Sequence, residues 1–154
     1  MKYIFIFILG LLIGGYLSFI SEDPIETSST NITTSEMGLF LKANEERTEK
    51  LEWSYCLHFL AVERSKDMVE RGYFGHEDPE TEINESWNKI ENNCGEYYRA
   101  GENLVRRHVD SEEGHSWLMG SKLHRENILE PNFTSMGVGC YQGVCTELFA
   151  NFVQ

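Results

Sequence analysis

The sequence predicts an α+β domain in which helices come first and a β-hairpin closes the chain. Apolar residues recur at helical spacing between residues 35 and 121, and the C-terminal segment alternates enough to form two strands around a short loop. Helices followed by a separate hairpin are typical of the α+β class. The chain has 154 residues, which suits one domain with a hydrophobic core of its own.

The charge of the chain narrows the choice of partners. The full sequence carries 25 acidic and 13 basic residues, for a net charge of -12. Residues 1–20 contain only one charged residue, Lys2, so the remainder keeps 12 basic and 25 acidic residues and a net charge of -13. A surface of this sign repels phosphate groups, so we expect no nucleic-acid partner.

The N-terminal segment predicts export. Residues 3–20 are uncharged, and as a helix they would rise about 27 Å, close to the ~30 Å hydrocarbon core of a bilayer. Small residues two apart are missing near Ser18, which favours an uncleaved membrane anchor over residues 1–20 rather than a cleaved secretory signal. Either interpretation exports the domain. Lys2 before the segment and acidic residues after it favour a domain on the extracellular face.

Residues 21–34 predict a polar tether between the anchor and a domain at residues 35–154. The segment is rich in Ser, Thr and acidic residues and has too few apolar groups to order itself. Three N-x-S/T sequons fit an exported glycoprotein, and they place the predicted glycosylation sites at Asn31, Asn84 and Asn132.

The helices of the domain follow in order. A first helix begins at Ser35, and the strongest helical pattern covers residues 54–71, with Gly72 as its C-terminal stop. A third helix is predicted over residues 81–93. A fourth covers residues 111–121, where acidic residues in the first turn suit the helix dipole.

Four cysteines in an exported chain favour disulfides over metal thiolates. The last two flank the loop of the C-terminal hairpin, so the predicted bridges are Cys140–Cys145 and, from the remaining pair, Cys56–Cys94. The alternative is four reduced, buried cysteines that pack as small apolar side chains. A zinc site built from them is disfavoured because the sequence has no C-x-x-C pair.

Three segments carry groups that could do chemistry, each beside a glycine or a helix end. They are residues 72–76 (GYFGH), 101–104 (GENL) and 121–129 (SKLHRENIL). Taken singly, each is a weak signal, because a lone histidine is more often a hydrogen-bonded structural residue than a ligand. The other three histidines are weaker candidates: we expect His58 to pack on its helix, and His108 and His115 to be exposed.

Read together and in this order, the segments resemble the CAP superfamily of cysteine-rich secretory, antigen 5 and pathogenesis-related proteins. The resemblance runs from about residue 44 to residue 152, and the histidine-arginine-x-asparagine form is similar to the compact prokaryotic branch. It implies a three-layer α-β-α sandwich with a small central antiparallel sheet. It also implies a groove that holds two histidines and acidic residues.

The family's groove has two His and two Glu, and three of the four positions match here. They are His76, Glu102 and His124, whereas Ser121 stands where the second acid is usual. On a shared helix, the i, i+3 spacing would put Ser121 on the same face as His124. Two neutral imidazoles, His76 and His124, could bind a divalent metal such as zinc, with Glu102 orienting one of them or ligating directly. With one carboxylate missing, we expect low affinity.

Three functions are open at this point. The favoured one is an exported CAP-domain module whose groove binds a small ligand or a surface partner without catalysis. The second is a hydrolase, with Glu102 as general base on a water held by His76 and His124, or with Ser121 as a nucleophile assisted by His124. The sequence has no G-x-S-x-G or H-E-x-x-H motif to support it. The third is a purely structural cell-surface domain.

Overall fold

The structure, a computed structural model, describes residues 31–107 and 110–154. The predicted anchor, most of the predicted tether and His108 lie outside these residues. None of the described helices is long and apolar enough to cross a membrane. The described elements are α1 (Thr34–Glu45), β1 (Glu52–Trp53), α2 (Tyr55–Glu70), α3 (Ser86–Cys94), β2 (Tyr97–Arg106), α4 (Ser111–Gly120), α5 (Lys122–Leu129), β3 (Ser135–Tyr141) and β4 (Val144–Phe152).

Side-chain caps fix where the first two helices begin. The N-cap of α1 is Thr33, whose hydroxyl accepts a bond from the Glu36 amide while the Glu36 carboxylate accepts one from the Thr33 amide. The helix therefore starts before Ser35, the predicted first residue, and the last two residues of the predicted tether belong to the folded domain. Ser54 caps α2, and Gly72 follows that helix with a φ of 72°, as predicted.

The predicted third and fourth helices need correction. The third begins at Ser86 rather than at residue 81, because the chain before it forms turns in which the Asp78 carboxylate accepts bonds from the amides of Glu80 and Thr81. The fourth ends at Gly120, and a separate helix, α5, follows after Ser121.

The sheet has the strand order β1-β3-β4-β2. Strands β3 and β4 form the predicted hairpin, and β2, which carries the GENL segment, lies antiparallel beside β4 at the edge. Strands β2, β3 and β4 thus form the predicted antiparallel sheet, and the two-residue strand β1 adds to its other edge by pairing with β3 in parallel. Two residues give no periodicity from which a strand could be recognised.

Helices cover both faces of this sheet, which makes the predicted three-layer α-β-α sandwich. Helices α2 and α3 pack on one face, around Leu57, Ile90 and Leu148. Helices α1, α4 and α5 lie on the other side. Two glycines of β3 let α2 approach closely, because a Cβ at Gly137 or Gly139 would meet the α2 backbone at 2.2 or 2.0 Å.

The structure contains both predicted disulfides. Cys56–Cys94 joins α2 to the end of α3, and Cys140–Cys145 crosses the β3–β4 hairpin. The alternative of four reduced cysteines is therefore not the arrangement in this structure, and no free cysteine occurs among the described residues.

Candidate functional site

Glu102 is the centre of the candidate site. It lies on β2 and faces α2, and its side chain is only 1% exposed. One carboxylate oxygen accepts bonds from His76 Nδ1 at 2.8 Å and Asn84 Nδ2 at 3.1 Å. The other accepts a bond from Ser86 Oγ at 2.8 Å and lies 3.5 Å from Arg64 Nε. Because donors surround this carboxylate, it can be buried in its charged form.

Arg64 connects α2 to the loop that carries His76. Its Nη2 donates to the backbone oxygens of Gly75 and His76, at 2.7 and 2.9 Å, and its Nη1 bonds the Tyr73 hydroxyl. The same guanidinium lies against Glu102, so one buried side chain fixes both the loop and the carboxylate that binds His76. Arg64 is therefore the residue that joins the GYFGH and GENL segments.

The two groove histidines come together although they are far apart in sequence. The ring centres of His76 and His124 are 6.5 Å apart, at an interplanar angle of 46°. The His76 side chain is 50% exposed, and because its Nδ1 is bonded to Glu102, its Nε2 is left for a ligand. Burial lowers the pKa of His124 and the neighbouring His76 lowers it further, so both effects favour a neutral His124 ring.

An open depression lies beside His76. It is lined by Gly75, His76, Glu77, Asp78, Pro79 and Glu82. Trp117 packs against the His124 ring, with ring centres 5.2 Å apart, and is itself 47% exposed. Acidic side chains thus lie beside His76, and an exposed aromatic ring lies beside His124.

Ser121 lies at the start of the helix that carries His124. Ser121 has extended backbone angles, φ -91° and ψ 127°, and occupies the junction between α4 and α5. It is the N-cap of α5, the helix that carries His124, and not a residue within that helix. Its backbone oxygen accepts a bond from the Arg125 amide. The prediction that the Ser121 side chain faces the groove stays a prediction.

Sequence reasoning missed Arg64, Asn84 and Ser86. The signal for Arg64 is its position within the apolar stripe of residues 54–71, where an arginine needs buried hydrogen-bond partners. Asn84 is a predicted glycosylation site, and its side-chain nitrogen, the atom that would carry a glycan, donates to Glu102. The other two sequon residues, Asn31 and Asn132, are exposed.

A second buried network lies on the opposite face of the sheet, next to His124. The Asn103 side-chain nitrogen donates to Glu147 Oε2 at 3.0 Å and to the His124 backbone oxygen at 3.1 Å. Asn127 donates to the Asn103 side-chain oxygen at 2.9 Å and to the Glu102 backbone oxygen at 3.1 Å. Glu147 is completely buried, and this burial raises its pKa to about 7 even though the Asn103 bond favours the charged form.

The remaining described histidines are buried. His58 lies on α2 and donates from Nδ1 to the Val138 backbone oxygen of β3, so it bonds the sheet and not its own helix. His115 was predicted to be exposed, but it is 7% exposed, since α4 turns it inward, where its Nε2 lies 3.6 Å from the Glu46 carboxylate. Among residues 31–107 and 110–154, no group of three or more His, Cys, Asp or Glu side chains is arranged to hold a metal ion.

The chain is similar to bacterial proteins of one family. It is 32% identical to the uncharacterized protein YkwD of Bacillus subtilis over 131 residues, which are 77% of this chain and 50% of that protein. It is 29% identical to the uncharacterized membrane protein YlbC of the same organism, over 76% of this chain and 34% of that protein. This chain thus spans half or less of the length of these relatives.

Solved structures show the same fold. An extracellular protein containing an SCP domain from Bacillus anthracis matches with a TM-score of 0.67 and 25% identity, over 76% of this chain and 40% of that one. An outer surface protein from Borrelia burgdorferi matches with a TM-score of 0.69 and 16% identity, over 80% of this chain and 97% of that one. The family model described as "CAP: Cysteine-rich secretory protein family" matches residues 44–153. The resemblance carried by the GYFGH, GENL and HRENIL segments is thereby confirmed, and the chain belongs to the CAP family.

Proposed function

We propose that this CAP domain is a non-enzymatic binding module, displayed outside the cell, whose His76–His124 groove takes a divalent metal such as zinc at low affinity together with a small ligand or surface partner. One observation carries the proposal. The buried Glu102 carboxylate binds His76 Nδ1 and leaves the outward Nε2 of a half-exposed ring for a ligand.

The donor set fits a divalent metal. A carboxylate that accepts the Nδ1 proton of a histidine is the usual support for a histidine that binds metal through Nε2. Two imidazoles that share a zinc at bonds of ~2.0–2.1 Å in tetrahedral geometry have ring centres roughly 5 Å apart. The ring centres of His76 and His124 are 6.5 Å apart, so the two rings would approach each other by roughly 1.5 Å to share one ion. Glu77 and Glu82 at the rim add negative potential that attracts a cation.

The same contacts argue against the hydrolase hypothesis. A general base needs a carboxylate oxygen that can reach a water, but both Glu102 oxygens already accept bonds and the side chain is 1% exposed. The alternative nucleophile, Ser121, is the N-cap of α5, and no motif of the sequence supports it as a nucleophile. Glu102 is better described as a positioning residue.

The purely structural hypothesis accounts for only part of the site. It explains Glu102, Ser86 and Arg64, which are buried and bonded to one another. It does not explain why His76 is half exposed, or why Trp117 and Leu123 beside His124 are 47% and 73% exposed. Exposed aromatic and aliphatic side chains next to a polar pair are typical of a surface that binds something.

The location outside the cell is supported by the relatives and the sequence. The similar Bacillus anthracis protein is an extracellular protein, and the Borrelia burgdorferi protein is an outer surface protein. Two disulfides suit an oxidising compartment. We propose that residues 1–20 hold the domain at the membrane, with secretion after cleavage as the alternative.

Zinc titration by calorimetry on the full chain in detergent tests the metal part of the proposal. We expect one zinc per chain, and at least a tenfold loss of affinity in the double variant His76→Ala, His124→Ala, because both nitrogens are removed. Leu123→Ala is the matched control, since it truncates an exposed neighbour of His124 and leaves both nitrogens in place. An unchanged affinity in the double variant would place the metal elsewhere.

The non-enzymatic part has its own test. We expect no hydrolysis of peptide or ester substrates by the zinc-loaded full chain above the rate of the His76→Ala, His124→Ala variant. Hydrolysis by the wild type that Glu102→Gln abolishes would overturn the binding-module proposal in favour of the hydrolase.

A further inference from the structure

We propose that Glu147 is the second carboxylate of the site and that it positions His124 as Glu102 positions His76. This inference rests on the proposed function in assigning His124 to the groove. It concerns an acid that the sequence motifs do not contain, on a different strand from Glu102 and on the other face of the sheet.

Two buried atoms without hydrogen-bond partners carry the inference. They are Nδ1 of His124 and Oε1 of Glu147. Buried polar atoms in native proteins almost always have a partner, and an unpaired one costs about 1–3 kcal/mol. Nδ1 of His124 can donate a hydrogen bond, and Oε1 of Glu147 can accept one, so each atom could be the partner that the other lacks.

Asn103 connects the Glu147 carboxylate to the backbone of His124. Its side-chain nitrogen donates to Glu147 Oε2 and to the backbone oxygen of His124, so both residues contact the same atom. Its oxygen accepts a bond from Asn127. With all its groups bonded, the Asn103 amide cannot turn, and it holds Glu147 with Oε1 still available.

The consequence is a defined orientation of His124. A bond from the Nδ1–H of His124 to Glu147 Oε1, made directly or through one buried water, would satisfy both atoms. Nδ1 then carries the hydrogen, and Nε2 is the nitrogen left for a ligand, as it is in His76. The groove then has two histidines and two supporting carboxylates, with the second carboxylate supplied from β4 instead of from position 121.

The tautomer of His124 tests this arrangement without any metal. We expect ¹⁵N NMR of the metal-free wild type at pH 8, above the pKa of about 7 of Glu147, to show the hydrogen on Nδ1 of His124. Glu147→Leu removes the acceptor and should shift His124 toward the Nε2–H form while His76 keeps its tautomer. An Nε2–H form of His124 in the wild type would overturn the proposal, even if the Leu variant failed to fold.

Zinc affinity tests the same arrangement in the bound state. Glu147→Gln keeps the shape and removes the charge, and we expect about tenfold weaker zinc binding, the usual effect of a lost supporting carboxylate. The control Glu126→Gln makes the same chemical change on the exposed side of α5 and should change the affinity less than about twofold.

Equal zinc affinity in wild type and Glu147→Gln would overturn the role of Glu147. If the wild type binds no zinc, the proposed metal function fails. The His124 tautomer then still decides whether Glu147 positions the ring, so the two failures are distinguishable.

Discussion

The strands of the sheet carry two buried glutamates, one on each face, and the two carboxylates have different surroundings. On the α2–α3 face, Glu102 accepts three hydrogen bonds and lies 3.5 Å from the Arg64 guanidinium. On the opposite face, Glu147 is buried just as completely, but it accepts one bond, from a neutral Asn103, and its pKa is raised to about 7. Leu148 stands directly opposite Glu102 and Asn103 opposite Glu147, so the two acids are near neighbours in one sheet.

The difference shows that burial alone does not decide the charge of a carboxylate. Removing a charged group from water is costly, and donors or a cation must replace the lost hydration. The first face supplies them from α2, α3 and the His76 loop, so its acid helps to hold three segments together. The second face supplies one amide, so its acid is easily neutralised and leaves an oxygen free to act on His124.

Arg64→Met tests the α2–α3 face, and we expect it to reduce the stability of the fold the most. It leaves the Glu102 charge buried without its cation and releases the backbone oxygens of Gly75 and His76, so we expect the free energy of unfolding to fall by about 3–5 kcal/mol. Urea denaturation measures it. Lys66→Met, two residues along the same helix in an exposed pair with Glu70, should cost less than about 0.5 kcal/mol. Equal losses in the two variants would contradict this account of Arg64.

The disulfides give a second comparison of the two faces. Cys56–Cys94 joins residues 38 apart and Cys140–Cys145 residues 5 apart, so chain entropy predicts a stabilisation of about 4 kcal/mol for the first bridge and about 2 kcal/mol for the second. Double Cys→Ser variants of each pair, compared by denaturation, measure this difference. A larger loss from the hairpin pair would show that loop length does not govern the ranking.

Glu147→Gln tests the opposite face through the pH dependence of stability. A carboxyl group whose pKa is higher in the folded state than in the unfolded state stabilises the fold at low pH. For Glu147 this stabilisation is lost as the pH rises from 4.5, the pKa in the unfolded state, to about 7, the pKa in the folded state. The loss is on the order of 3 kcal/mol. Glutamine cannot titrate, so the variant should have a flatter profile over this range and exceed the wild type in stability above pH 7. Unfolding free energies measured from pH 4 to pH 8 give both profiles. Parallel profiles would mean that Glu147 keeps an ordinary pKa in the fold.

The parts of the fold that were predictable are those with local signals. The 54–71 helix, its glycine stop and the C-terminal hairpin each follow from a repeating pattern over several residues, and the hairpin in turn predicted both disulfides. Strand β1 and the start of α3 were not predictable in this way. The first is only two residues long, and the second depends on how the Asp78 carboxylate folds the preceding turn.

The candidate site was predictable only through the family motifs. His76, Glu102 and His124 belong to segments that are recognised by their order, but nothing local in the sequence brings a loop, an edge strand and a helix together. Glu147 carried no motif at all, because an acid in an alternating strand is ordinarily expected to face solvent. Its inward direction depends on the register of β4 between β2 and β3, which is a property of the whole sheet.

The smallest effect concerns α1, on the same face as Glu147, and the boundary of the folded domain. Thr33→Ala removes the hydroxyl that caps α1, and we expect a loss of about 1 kcal/mol, the usual cost of a lost N-cap. The Glu36 carboxylate, which also accepts a bond from the Cys140 amide, keeps that second contact, so the effect should stay local. Thr34→Ala, the same change one residue later and inside the helix, should be neutral, because alanine is the better helix former. Equal unfolding free energies for the wild type and Thr33→Ala would mean that the cap does not contribute and that the tether extends to residue 34, as the sequence composition predicted.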